Sequence, residues 1–181
     1  MDENTGALMS ITTNGKTHKL NQSFKYYKAV GMEKGGVEDS GTYNFCPDGA
    51  AHDYSAPKLL SSQTSGPIHE VNQQFSDYVK QTVRTYEDED YIEFDWTVGP
   101  IPVDDKVGKE IITRFETDLK TNGIFYTDAN GRQTMRRQYN KNSMLCNKNI
   151  ISGNYYPIYS RAFVRDDNQG MKYNLYKQIN I

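Results

Sequence analysis

Glu93 and Asp95 stand two residues apart in the segment Tyr91–Val98. Paired carboxylates are what general acid–base and glycosyl-transfer chemistry requires. On a strand both would share one face, ~6.5–7 Å apart. Retaining hydrolysis uses carboxyl groups ~5–5.5 Å apart, so distance alone does not dismiss the pair. A polar strand face needs no catalysis, however, and Arg84 and Lys80 on the preceding segment would serve as cross-strand partners. The polar face is the reading adopted, and no catalytic residue is assigned. Asp104-Asp105 reads as a turn after Pro102. Asp128-Ala129-Asn130-Gly131 shares the opening of a calcium loop but lacks a third alternating ligand and a distal glutamate. A two-residue hairpin turn with positive φ at Asn130 and Gly131 is expected there.

His18, His52 and His69 have no second ligand at i+2 or i+4, and each reads as an isolated surface histidine. Cys46-Pro47-Asp48-Gly49 with His52 offers two ligands on a loop, too few for a metal. No metal ligand is assigned. Cys46 and Cys146 permit one disulfide, which nothing in their flanks requires. Asn21-Gln22-Ser23 is a glycosylation sequon, meaningful only on the secretory route.

The elements that must position these groups are strands. Ile92, Phe94, Trp96 and Val98 alternate with Tyr91, Glu93, Asp95 and Thr97, until Pro100 and Pro102 close the ladder. Strands are expected near Ala7–Ile11, Ser23–Val30, Thr42–Phe45, Ile68–Phe75, Tyr78–Tyr86, Tyr91–Val98, Lys109–Glu116, Ile124–Thr127, Gln133–Gln138 and Ile158–Val164. Asn14-Gly15 suits a second hairpin turn. The polar stretches Pro47–Gly66 and Tyr139–Asn154 read as irregular connections. Lys106–Arg114 is the one segment with a helical alternative, and its β-branched Ile111, Ile112 and Thr113 favour a strand. The fold class is therefore all-β, with antiparallel sheets packed as a sandwich.

With 181 residues, the chain is about one domain long. Its hydrophobic fraction of 36% implies a thin core, helped by 14 tyrosines that bury a ring and keep the hydroxyl wet. A net charge of −2 with scattered Lys and Arg argues against a nucleic-acid partner. No stretch approaches the ~18 apolar residues of a membrane span. Met1-Asp2-Glu3-Asn4 lacks the basic start and apolar run of a signal peptide. The acidic run Glu87-Asp88-Glu89-Asp90 reads as a solvated turn.

Several word-like stretches occur in a fixed order. They are Asn4-Thr5-Gly6, Ser40-Gly41-Thr42-Tyr43-Asn44-Phe45-Cys46-Pro47, Glu70-Val71-Asn72-Gln73-Gln74-Phe75-Ser76, the strand running from Glu93-Phe94-Asp95-Trp96 to Gly99-Pro100-Ile101-Pro102, Arg114-Phe115-Glu116-Thr117, Phe125-Tyr126-Thr127-Asp128 with Asn130-Gly131-Arg132, and Gly153-Asn154-Tyr155-Tyr156-Pro157. Together they resemble the central and C-terminal β region of the lysosomal-type (class II) α-mannosidases of glycoside hydrolase family 38, from about Asn4 to Asp167. The resemblance implies part of a large, galactose-mutarotase-like supersandwich that braces a catalytic barrel. It implies an activity that removes terminal α-mannose from glycans, and a lysosomal or secretory location. It also implies a zinc ion held by the barrel; none of the barrel's motifs stands here, so this chain is expected to bind no cofactor. Its partners would be a mannose-containing oligosaccharide and the absent barrel. Tyr43 matches the family tyrosine that contacts bound sugar, the structural alternative being a strand tyrosine packed beside Phe45. The family's second β-region contact, an arginine, would fall beyond the point where the chain diverges. Residues 1–167 are thus read as the β-sandwich segment and 168–181 as a divergent tail, the whole suggesting a truncated or mis-spliced frame. The competing readings are a free-standing carbohydrate-binding module of the lectin kind and a fragment that never folds.

Overall fold

Period-two patterning is strong where one face of a strand is buried, and the longest strands of the chain show it. The structure, a computed structural model, describes residues 1–13, 15–31, 40–41, 45–141 and 150–166, together with the backbone of Met171–Tyr176. It divides into two units, Met1–Thr117 and Asp118–Ile181. The first contains β1 (Ser10–Thr13), β2 (Lys16–Lys28), β3 (His52–Asp53), β4 (Lys58–Ser65), β5 (Ile68–Ser76), β6 (Val79–Tyr86), β7 (Ile92–Val98) and β8 (Lys109–Thr117). The second contains β9 (Ile124–Ala129), β10 (Gln133–Gln138), a 3-10 turn (Ser152–Asn154), β11 (Arg161–Asp166) and β12 (Met171–Tyr176).

In the first unit β1, β3 and β8 all pair with β2, while β4-β5-β6-β7 form a second antiparallel sheet. Their inner faces meet. On β2 the buried positions are His18, Leu20, Gln22 and Phe24; β5 contributes Val71, Gln73 and Phe75, and β6 contributes Val79, Gln81 and Val83. Phe24 and Phe75 meet edge to face at 4.7 Å, with Val79 completing the centre. Each such side chain contributes ~1.5–3 kcal/mol by leaving water. Between these apolar groups runs a chain of amides. Gln22 and Gln81 exchange hydrogen bonds at 2.9 and 3.0 Å, Gln81 donates to Gln73 at 2.9 Å, and Gln73 donates to the Gly6 carbonyl at 2.8 Å. Gln22 also donates to Thr113 of β8 at 2.8 Å. Gly6 is required at its place: its φ is +71°, and a Cβ there would lie 3.0 Å from Val71 Cγ1.

Trp96 is edge-on to Phe24 at 6.0 Å, on the inner side of β7 as its alternation predicts, yet 47% exposed. The ladder of β7 ends at Val98, ahead of the two prolines. The ambiguous segment Lys106–Arg114 is a strand from Lys109 onward, within β8.

Two expectations about connections need correction. Pro47–Gly66 is not irregular throughout, because Lys58–Ser65 pairs with β5 along Lys58↔Gln74 to Ser65↔Ile68. The bulge between Leu59 and Ser61 and almost continuous exposure erased its hydropathy alternation. The β9–β10 turn has the expected positive φ at Asn130 (52°) and Gly131 (69°), but Ala129 pairs with Gln133, so three residues lie between the paired ends. Within residues 168–181, Met171–Tyr176 pairs with Arg161–Asp166.

The second unit is one sheet in the order β10-β9-β11-β12. Its aromatic rings are covered by arginines. Tyr126 stacks on Phe163 at 4.5 Å, Arg165 lies over Tyr126 and Arg161 over Phe163. Elsewhere in the unit Tyr156 meets Phe125 at 5.3 Å and receives Arg137 at 4.8 Å.

Candidate functional site

Tyr43, with most of the strand expected at Thr42–Phe45, lies outside the described residues, but Ser40 and Cys46 on either side of it are described. Ser40 N–H donates to the Val30 carbonyl at 3.1 Å, and Cys46 N–H donates to the Ser40 hydroxyl at 3.1 Å. Val30 N–H donates to Cys46, Asp48 N–H donates to Lys28, and Ala29 bridges Pro47. Phe45 meets Tyr27 edge to face at 5.8 Å. The end of β2 and the two residues after it therefore clamp Ser40 and Cys46 together. Next to the clamp is a run of rings: His52 stacks on Tyr26 at 5.2 Å, Tyr26 neighbours Tyr54, and the Tyr54 hydroxyl donates to Tyr78 at 2.9 Å. Burial, reinforced by that hydrogen bond, pushes the Tyr54 hydroxyl well above the usual phenol range.

The carboxylate pair is occupied. Arg84 reaches Glu70 at 2.8 Å, Glu93 at 3.1 Å and Asp95 at 3.5 Å, so one guanidinium serves three acids. Glu93 also accepts the Tyr86 hydroxyl, a bond that pushes Tyr86 up to about 12. Glu70 is held below the usual carboxylate range by Asn72 and then by Arg84. Lys80 lies across the ladder from Thr97 and Gln74. This is a structural ion-pair cluster on the polar face, as the spacing suggested, with Arg84 rather than Lys80 at its centre. Asp105 is also structural. Lys109 Nζ binds both its oxygens, at 2.9 and 2.7 Å, together with the carbonyls of Pro102 and Val107.

Asp128 has a different setting. Its Oδ1 accepts the N–H groups of Tyr159, Ser160 and Arg161 at 3.0–3.1 Å, and its Oδ2 accepts Gly131 N–H at 2.7 Å. Burial would raise its pKa, but these four donors outweigh it and hold the group at about 2. The aspartate ties the Asn130-Gly131 turn to residues 159–161.

The histidines are not all on the surface. His18 is buried at 8% exposure and its Nε2 has no partner, which corrects the expectation of a surface residue. The signal was available: stepping back by two from Phe24 through Gln22 and Leu20 reaches His18. His52 is exposed and stacks on Tyr26, while His69 hydrogen-bonds Thr64 at 3.0 Å. Among the described residues no group of three His, Cys, Asp or Glu side chains could hold a metal ion. Cys46 is buried, and Cys146 lies outside the described residues. No described helix is long and apolar enough to cross a membrane.

Fold and site together define an antiparallel β-sandwich region whose described polar clusters are structural. The profile of the Glycosyl hydrolases family 38 C-terminal domain matches residues 1–172, and the chain belongs to this family. It is 39% identical over 88% of its length to a lysosomal alpha-mannosidase of Cavia porcellus, and 39% identical over 92% to that of Bos taurus. An alpha-mannosidase of Canavalia ensiformis is 35% identical over 82% of the chain. The chain spans only 16–17% of the length of these relatives.

Proposed function

We propose that this chain is the β-sandwich segment of an α-mannosidase that removes terminal α-mannose from glycans in a lysosomal or secretory compartment. Its own work is to bind and to position. It braces a catalytic barrel and presents Tyr43, which stands between the clamped residues Ser40 and Cys46 in sequence, to a mannose-containing oligosaccharide. The single supporting observation is 35–39% identity, across 82–92% of the chain, to proteins named alpha-mannosidases. The comparisons lend no support to the lectin-like alternative.

Two measurements test the reading. The chain alone, assayed with zinc and an aryl α-mannoside, gives no turnover; saturable hydrolysis would overturn the bracing role. A chimera in which this chain replaces the matching segment of the Bos taurus enzyme hydrolyses the same substrate. In it, Tyr43→Ala lowers kcat/KM about tenfold, the loss of roughly one aromatic contact. A folded but inactive chimera refutes the proposal.

A further inference from the structure

Asn21-Gln22-Ser23 is the one Asn-x-Ser/Thr sequence in the chain, and the α-mannosidase reading makes no use of it. All three residues lie within β2. Strand alternation separates them: Leu20, Gln22 and Phe24 are buried in the core, so Asn21 and Ser23 lie on the opposite face of the sheet. Gln22, the middle residue, is fixed inside by Gln81 and Thr113. The amide and the hydroxyl that a glycosylation acceptor needs are therefore on one side, and the core contains neither.

The face they occupy is polar and open. Across the ladder Asn21 pairs with Glu116 and Ser23 with Arg114. These two β8 residues bind each other at 2.7 Å, with side chains 46% and 50% exposed. Lys19, next along the same face, is exposed as well. The Asn21 amide takes no part in these contacts. Its Oδ1 is a buried acceptor without a hydrogen-bond partner, and no described residue accepts from its Nδ2. A buried polar atom without a partner is uncommon in a folded protein and calls for an explanation. A sugar joined to Nδ2 would set N–H and O–H donors beside that oxygen and would break no hydrogen bond of the fold. Chain order makes the site reachable. The strands that hold Gln22, β6 and β8, come far later in sequence, so the segment is not yet closed against them when it is first made.

We infer that Asn21 carries an N-linked glycan, attached before β2 is closed into its sheet. The inference rests on the reading of the chain as part of a lysosomal or secretory enzyme, because the glycan donor, a lipid-diphosphate-linked oligosaccharide, is met on that route. In the transfer a bond forms between Nδ2 and the anomeric carbon of the first sugar, while the bond from that carbon to the diphosphate oxygen breaks. The lipid diphosphate leaves with the bonding electrons, and Nδ2 gives up one of its two protons. On the finished sheet the glycan stands beside Lys19, Arg114 and Glu116 and keeps that face in water.

Two proteins test this. The full chain behind a cleavable secretory signal, produced in cultured mammalian cells, is expected to run as a larger species that peptide N-glycosidase returns to the bare mass. Asn21→Gln and Ser23→Ala abolish the shift, whereas Ser23→Thr, which keeps the hydroxyl, retains it. Transfer precedes folding, so a variant that fails to fold still reports. A signal-cleaved chain with no shift overturns the inference, as does a shift unchanged by Asn21→Gln. So does a glycan confined to aggregated chain, because the folded sheet would then refuse it. The second protein is the Bos taurus chimera, whose peptide between Lys19 and Lys25 is weighed by mass spectrometry. That peptide bare in an active, secreted chimera overturns this inference and leaves the α-mannosidase reading standing. A glycan there in a folded but inactive chimera does the reverse.

Discussion

Asp128 gathers four backbone N–H groups onto one carboxylate and so joins the Asn130-Gly131 turn to the start of β11. The pH consequence follows from the direction of its shift. A carboxyl held at about 2 against an ordinary 3.8 contributes stability fully above the ordinary value, and loses it as pH falls through the folded one. Acid titration followed by circular dichroism is therefore expected to weaken the fold between about pH 4 and 2. Asp128→Asn removes this pH dependence and lowers the melting temperature by on the order of 5 °C, since an amide cannot accept from Gly131 and the other three donors together. An unchanged acid limb in the variant would show that the aspartate is not the group responsible. Residue chemistry was partly legible in the sequence. The Glu93/Asp95 spacing marked a polar face, and Arg84 one strand away supplied the partner. The bonds from Asp128 to residues 159–161 were not legible, because nothing local links positions over thirty residues apart.

At the scale of elements, hydropathy reveals a strand when most of its inward positions are apolar. Ile68–Ser76, where Val71 and Phe75 flank the buried Gln73, and Ile92–Val98, with Ile92, Phe94, Trp96 and Val98 on one side, were readable to within a residue. The first half of β2 is weaker: two of its three buried positions, His18 and Gln22, are polar, so the alternation of Lys16–Gln22 shows only when it is traced back from Phe24. The same glutamines explain how the two sheets hold their alignment. A reciprocal Gln22–Gln81 pair is satisfied only when these strands face each other in one register. Gln81→Leu leaves the Gln22 and Gln73 oxygens short of donors and should cost ~1–3 kcal/mol. Gln22→Leu/Gln81→Leu should cost less than the sum of the single changes, since each single change already breaks the shared pair. Urea unfolding midpoints measure both, and strict additivity would mean that the amides do not act as one network. The candidate site was legible only as far as its motif. Tyr43 lies outside the described residues, and the clamp at Ser40 and Cys46 depends on pairing with β2 that no local pattern encodes.

For the whole molecule, the question is which unit can fold unaided. Met1–Thr117 has two sheets and a shared apolar centre built on Phe24, Phe75 and Val79. Asp118–Ile181 has one sheet, and none of its described hydrophobic residues is buried. The hydrophobic effect is the dominant favourable term in folding, and single sheets without a covered face are marginal. Met1–Thr117 expressed alone is therefore expected to unfold in one cooperative transition. Trp96, the chain's one tryptophan, sits against Phe24 in this unit and reports it through its emission. Asp118–Ile181 alone is expected to show no cooperative melt by circular dichroism. Its arginine–aromatic contacts contribute ~0.5–1 kcal/mol each at exposed sites, far short of the entropy of ordering such a segment. A sharp transition in the isolated second unit would mean that polar ties such as those of Asp128 suffice without a core.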